Sequence, residues 1–109
     1  MLNLSAAIAF HARRAPERPA LFFEGRAISY GAFDRRVQRM GALLAARGVG
    51  RGDRVAAIMR NSPAFLDIAY GASRQGAVFV PVNFRLSADE AAYVLDHAGA
   101  RLVFADDDL

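Results

Sequence analysis

At 109 residues the chain has room for one domain with a real core and is too short for two. Its hydrophobic fraction of 54% exceeds the roughly 45–50% of ordinary soluble domains, and much of the excess is alanine, which suits close helix–sheet packing. The net charge is +3, all 14 basic residues are arginine and cysteine is absent, which excludes Schiff-base chemistry, a phosphate-loop lysine, a disulfide framework and a thiolate metal site within this sequence.

In chain order, Leu4 to Arg14 has the pattern of a short helix, with Asn3 as N-cap, Pro16 as stop, and Leu4, Ala7, Ile8 and His11 along its apolar side. Ala20–Phe23, Glu24-Gly25 and Arg26–Ile28 predict a β-hairpin closed by a two-residue turn. Ser29 then caps a helix running to about Arg47, with Phe33, Val37, Met40 and Leu44 on one face and Gly48 as its stop. Gly50-Arg51-Gly52-Asp53 is a turn, and Arg54–Met59 is a short apolar run of the kind found in strands covered on both faces. Ser62 and Pro63 open the next helix, whose buried side is expected to be Phe65, Ile68, Ala69 and Ala72; Gly76 ends it. Ala77–Val82 is a second buried strand. Ser87-Ala88-Asp89-Glu90 has the capping-box pattern, opening a helix through Tyr93, Val94 and His97 that stops at Gly99. Arg101–Phe104 is a third strand, and Asp106-Asp107-Asp108 an exposed end.

Strands alternating with helices of this length imply right-handed crossovers and a parallel sheet. The expected fold is therefore α/β: a three-layer parallel sheet with helices on both faces, plus an N-terminal β-hairpin. Residues 1–15 carry Asn3, Ser5, His11, Arg13 and Arg14 and lack the basic-then-apolar organisation of a signal peptide. No apolar run approaches the ~18–20 residues of a membrane span. The absence of cysteine accords with a reducing compartment, so a cytoplasmic protein is expected. The arginines are scattered among acids with no aromatic-interleaved patch, which argues against nucleic acid as a partner.

Several segments, in order, resemble the N-terminal part of acyl-CoA synthetases, the AMP-dependent ligases of the adenylate-forming superfamily. They are Arg14-Ala15-Pro16, Ile28-Ser29-Tyr30, the turn from Gly48 through Gly52-Asp53-Arg54-Val55-Ala56, Asn61-Ser62-Pro63, Arg74-Gln75-Gly76-Ala77-Val78 and Val80-Pro81-Val82-Asn83. The resemblance covers nearly the whole chain and places Ala77–Val82 as a central strand. It implies a parent enzyme that converts a carboxylic or fatty acid, ATP and CoA to acyl-CoA, AMP and pyrophosphate through an acyl-adenylate, using Mg²⁺. Residues 1–109 would be an N-terminal subdomain, a fragment of the large N-terminal domain of such an enzyme.

One position departs from the pattern: the family commonly has Asn-Pro-Arg where this chain has Asn83-Phe84-Arg85. Adenylation domains that load a carrier protein typically have Leu-Asp-Pro there, so Val82-Asn83 with Arg85-Leu86 looks more like a CoA ligase.

Arg85 is the one residue for which the resemblance implies a ligand contact, with a phosphate of CoA, a task suited to the forked donors of a guanidinium. The alternative is a turn-capping Arg85 or a pair with Asp89. Gly48, Gly50 and Gly52 follow a helix and precede a strand, the reverse of a phosphate loop. His11 and His97 have no second ligand at metal spacing, and the Asp106–Asp108 run is read as solvated. The family's Ser/Thr/Gly-rich phosphate loop, adenine-contacting aromatic, ribose-binding Asp and catalytic Lys have no match here. The chain alone is accordingly expected to be an inactive scaffold with no catalytic residue and no metal site. It should bind ATP, CoA and Mg²⁺ weakly or not at all, and its partner is the remainder of the parent chain. Exposed apolar faces would favour self-association or strand exchange. A fragment of a carrier-protein-loading domain and a non-catalytic interaction module are the alternatives.

Overall fold

The computed structural model describes residues 4–106. The Asn3 cap, Asp107 and Asp108 lie outside the described residues. Helix α1 (Leu4–Arg14) leads into a hairpin of β1 (Pro19–Phe23) and β2 (Arg26–Ser29), then α2 (Tyr30–Ala46). There follow β3 (Arg54–Ile58), α3 (Pro63–Arg74), β4 (Val78–Val82), α4 (Ala88–Ala98) and β5 (Leu102–Ala105).

Local chemistry accounts for most boundaries. Glu24 and Gly25 both take positive φ, 51° and 77°, the twist a two-residue hairpin turn requires. Ser29, Ser62 and Ser87 each accept a backbone N–H three residues on, from Ala32, Phe65 and Glu90. The three later helices end alike. A glycine turns left-handed and the following N–H returns to a carbonyl five residues back: Val49 to Leu44, Ala77 to Ala72 and Ala100 to Leu95. At Gly48 and Gly76 the same device folds an apolar residue, Val49 or Ala77, back into the core beside its helix.

The sheet is parallel with order β4-β3-β5, Val55 standing opposite both Phe79 and Leu102. One face of it meets α2 and α3: Val55, Phe79, Leu102 and Phe104 pack with Leu44, Ile68 and Ala72. A second cluster of Ile8, Phe33 and Val37, with Leu21, Ile28, Leu66 and Tyr70 around it, joins α1 and the hairpin to the α2–α3 pair. The connection from β3 to β4 steps one way across the sheet and that from β4 to β5 steps back over β3. With both crossovers right-handed, α3 and α4 lie against opposite faces.

The α/β architecture with its hairpin is therefore as expected, with three differences. β3, not the Ala77–Val82 segment, is the central strand; β4 is an edge among the described residues, which suits Pro81, a residue without an N–H to give a neighbour. The α4 face is thinly covered: α4 has no buried residue, Ala56 and Val82 are enclosed, and Val78 and Val103 stay 38% and 43% exposed. Among the described side chains of α1 the buried positions are Ser5 and Ile8, whereas Ala7 and His11 face outward; the expected stripe position Leu4 lies outside the described side chains. α3 likewise turns Asp67 and Gly71 inward beside Ile68 and Ala72, leaving Phe65 and Ala69 half-buried.

Candidate functional site

Open parallel sheets bind ligands beyond the carboxyl ends of their strands, where consecutive connections depart to opposite faces. Here that crevice lies between β3, which feeds α3, and β4, which feeds α4. Met59 and Arg60 follow β3, Asn83-Phe84-Arg85 follow β4, and Asp106 follows β5.

Asn83 builds the turn that presents Arg85. Its Oδ1 accepts the Arg85 N–H at 2.9 Å, and its carbonyl accepts the Leu86 N–H at 3.2 Å. An asparagine bonding its own backbone two residues on closes a turn without proline, so the Phe84 departure leaves the turn intact. The freed position carries an aromatic ring. The Arg85 guanidinium lies over it, 5.1 Å from the centroid, and the Arg60 guanidinium lies 5.2 Å from the same centroid. Arg60 is held in turn by Asp106, whose Oδ2 accepts its backbone N–H at 3.0 Å and its Nη1 at 3.2 Å. A line of contacts, Asp106–Arg60–Phe84–Arg85, thus spans the carboxyl end of the whole sheet.

Arg85 is exposed and makes no ion pair among the described residues; the alternative pairing with Asp89 is not formed. Sequence reasoning singled out Arg85 but left Arg60, the Phe84 ring and Asp106 without a role. Asp106, read as merely solvated, is a partly buried acceptor, its side chain 24% exposed. The usable signal was positional: all three lie within two residues of the end of a strand in a parallel sheet.

Other candidates carry no chemistry. The glycine amides of the Gly48–Gly52 segment are spent within the fold. Gly50 N–H bonds the Asp53 carboxylate at 2.8 Å, Gly52 N–H the Gly76 carbonyl at 3.0 Å, and Asp53 N–H the Gly50 carbonyl at 3.1 Å. His11 packs edge-on to Phe10 and tilted against Tyr30; His97 stacks on Tyr93. A hollow of 240 Å³ between the hairpin and the start of α3 is lined mainly by apolar residues such as Leu21, Phe22, Pro63 and Phe65. Its Ser62 hydroxyl is already engaged in capping α3.

A profile of the AMP-binding enzymes matches residues 8–109. The chain belongs to that family. Among its relatives, the fatty acid–acyl-carrier-protein ligase ScoC of Streptomyces coeruleorubidus is 39% identical over 99 residues, 91% of this chain and 19% of its own length. A feruloyl-CoA synthase of an Amycolatopsis species is 41% identical over 92 residues, 84% of this chain and 19% of its own. The solved fatty acyl CoA synthetase of Mycobacterium tuberculosis superposes with a TM-score of 0.90 at 32% identity, over 94% of this chain and 21% of that one. The N-terminal subdomain of Klebsiella oxytoca NpsA, in complex with 3-hydroxyanthranilyl-AMSN, gives 0.89 at 30% identity over 98% and 28%. The α/β fold is thus that of the N-terminal domain of adenylate-forming enzymes, and the chain spans about a fifth of the length of these curated relatives.

The residues described do not fit every group the family uses. No cluster of three or more His, Cys, Asp or Glu that could hold a metal ion occurs among them, and the three glycine amides of the 48–52 segment are already bonded within the fold. Arg85 leaves a guanidinium without an ion pair among the described residues at the switch-point crevice. No helix among the described residues is long and apolar enough to cross a membrane.

Proposed function

We propose that this chain is the N-terminal subdomain of an AMP-forming acid–CoA ligase, acting there as scaffold and as one wall of the CoA entrance. The parent would join a carboxylic acid to ATP as an acyl-adenylate with release of pyrophosphate, and then transfer the acyl group to the CoA thiol with release of AMP. The observation that carries this reading is the in-register identity of about two residues in five to acid ligases along nearly the whole chain. In this arrangement Arg85 contacts a CoA phosphate, and ATP and Mg²⁺ are held by parts of the parent outside these residues. A cytoplasmic setting is in keeping with the absence of cysteine.

Transition states of phosphoryl and adenylyl chemistry need donors and positive charge gathered around the phosphate. At the crevice residues 4–106 offer two guanidinia, Arg60 already paired with Asp106 and Arg85, and among the described residues no cluster of three or more metal-ligating side chains. ATP–pyrophosphate exchange measured on the 109-residue chain is therefore expected at background; turnover above it overturns the scaffold role. A second reading, an acyl-carrier-protein ligase, is favoured by the ScoC match. Supplying the full parent with CoA or with a phosphopantetheinyl carrier protein separates the two by which acceptor takes the acyl group.

A further inference from the structure

We propose that Phe84 is a positioning residue: its ring is the platform that orients Arg85 for a phosphate-bearing ligand, and Arg60 with Asp106 anchors that platform to the sheet. The inference deepens the reading of Arg85 given above and rests on it.

An exposed arginine on a turn has many rotamers, and ordering it on binding costs affinity. Resting a guanidinium on an aromatic face removes part of that cost beforehand, because the ring's negative face attracts the cation while the forward donors stay free. The geometry at Phe84 meets this requirement twice, with Arg85 and Arg60 at 5.1 and 5.2 Å from one centroid. The two arginines have different electrostatic settings. The Arg60 guanidinium pairs with Asp106 Oδ2 through Nη1 at 3.2 Å, and its backbone N–H bonds the same oxygen, which ties the ring to the end of β5. Arg85 has no such acid among the described residues and faces solvent. The first arginine therefore serves to hold the ring and the second to meet an anion. Both stand at the crevice where the connections from β3 and β4 part. A proline at position 84 would keep the turn but offer neither guanidinium a π face.

The fitting ligand is a terminal phosphate monoester, and the probes are adenosine 3′,5′-bisphosphate and CoA itself. The first readout needs no ligand: the Arg85 side-chain Nε–Hε resonance of the whole chain should show a ring-current displacement that is lost in Phe84→Leu and kept in Phe84→Trp. The second is titration calorimetry with both probes on the full parent, because residues 1–109 alone are expected to bind them weakly or not at all. Phe84→Leu should weaken binding about 2- to 5-fold, the size of one exposed cation–π contact, and Phe84→Trp should restore it. Arg85→Ala should weaken binding about tenfold or more, as loss of a charge-assisted hydrogen bond does. Thermal midpoints recorded alongside separate positioning from misfolding, since a purely structural Phe84 would shift the midpoint without distinguishing Leu from Trp in binding. No ring-current displacement in the unsubstituted chain, or equal binding by the Leu and Trp variants, overturns the platform. Equal binding by Arg85→Ala and the unsubstituted chain overturns instead the assignment of Arg85 to phosphate, and the platform's purpose with it.

Discussion

Gly71 stands where α3 crosses α2, and a Cβ there would lie 2.5 Å from Met40 Cγ and 2.8 Å from Met40 Cβ. Alanine at this site gains about 1 kcal/mol of helix propensity, but such crowding costs about 1–3 kcal/mol. Gly71→Ala is expected to lower the urea midpoint, and an unchanged or higher midpoint would mean the helices part readily. Gly41→Ala should be milder, because its new methyl meets the movable Cδ of Arg74 at 3.1 Å. The same helix pair is joined by Arg36, whose Nε and Nη2 reach the Asp67 carboxylate at 3.0 and 2.7 Å. Hydrogen bonding to Asp67 raises the Arg36 pKa further above its usual range, so this cation is permanent. Arg36→Ala would strand a carboxylate that is 8% exposed and should cost about 1.5–3 kcal/mol in urea unfolding; Arg36→Lys, lacking the planar fork, should recover only part of it. Neither contact was legible in the sequence. The partners are 31 residues apart and the helical pattern alone placed Arg36 off the apolar face.

Caps and turns were the legible elements, since each is decided by residues within a few positions. The Ser87–Glu90 capping box is the clearest case, with Glu90 N–H bonding Ser87 Oγ at 3.2 Å and Ser87 N–H bonding Glu90 Oε1 at 3.0 Å. The backbone and hydroxyl hydrogen bonds from Ser87 hold the Glu90 carboxyl below the usual glutamate range. Its ionised form is thus favoured in the fold. The contribution is present above the unfolded-state pKa and is lost as pH falls through the depressed folded value. Protection factors at Ser87 and in the first turn of α4, the exchange rates corrected for their intrinsic pH dependence, should therefore fall on acidification. In Glu90→Gln, which keeps an acceptor but no titration, that pH dependence should vanish; its persistence would assign the fraying to another group. Less legible were faces. The stripe expected on α1 is displaced: Ser5 is buried and His11 is turned out against the Phe10 and Tyr30 rings. On α3 a buried aspartate interrupted the apolar pattern only because an arginine from α2 reaches it.

Across the whole molecule, both outer strands of the sheet are open among the described residues, and the α4 side leaves Val78, Val103 and Tyr93 exposed at 38%, 43% and 70%. Open edges beside apolar surface favour association. Light scattering should find particles whose mass rises with concentration, and Val103→Lys should shift them toward the monomer; a monodisperse monomer at every concentration would show that this surface is tolerated in water. The sequence by itself determined the element order, the three serine caps, the glycine stops, the parallel α/β class and the family, because these depend on neighbours in the chain and on motifs kept in register. Strand order was decided only by tertiary structure: β5 could add beside either β3 or β4, and its placing beside β3 is what makes β3 central. That choice sends α3 and α4 to opposite faces and opens the crevice at Arg85. It also brings Asp106 to Arg60, while the β3–β4 pairing brings Arg60 to the Phe84 ring, a convergence of three strand ends that no local pattern encodes.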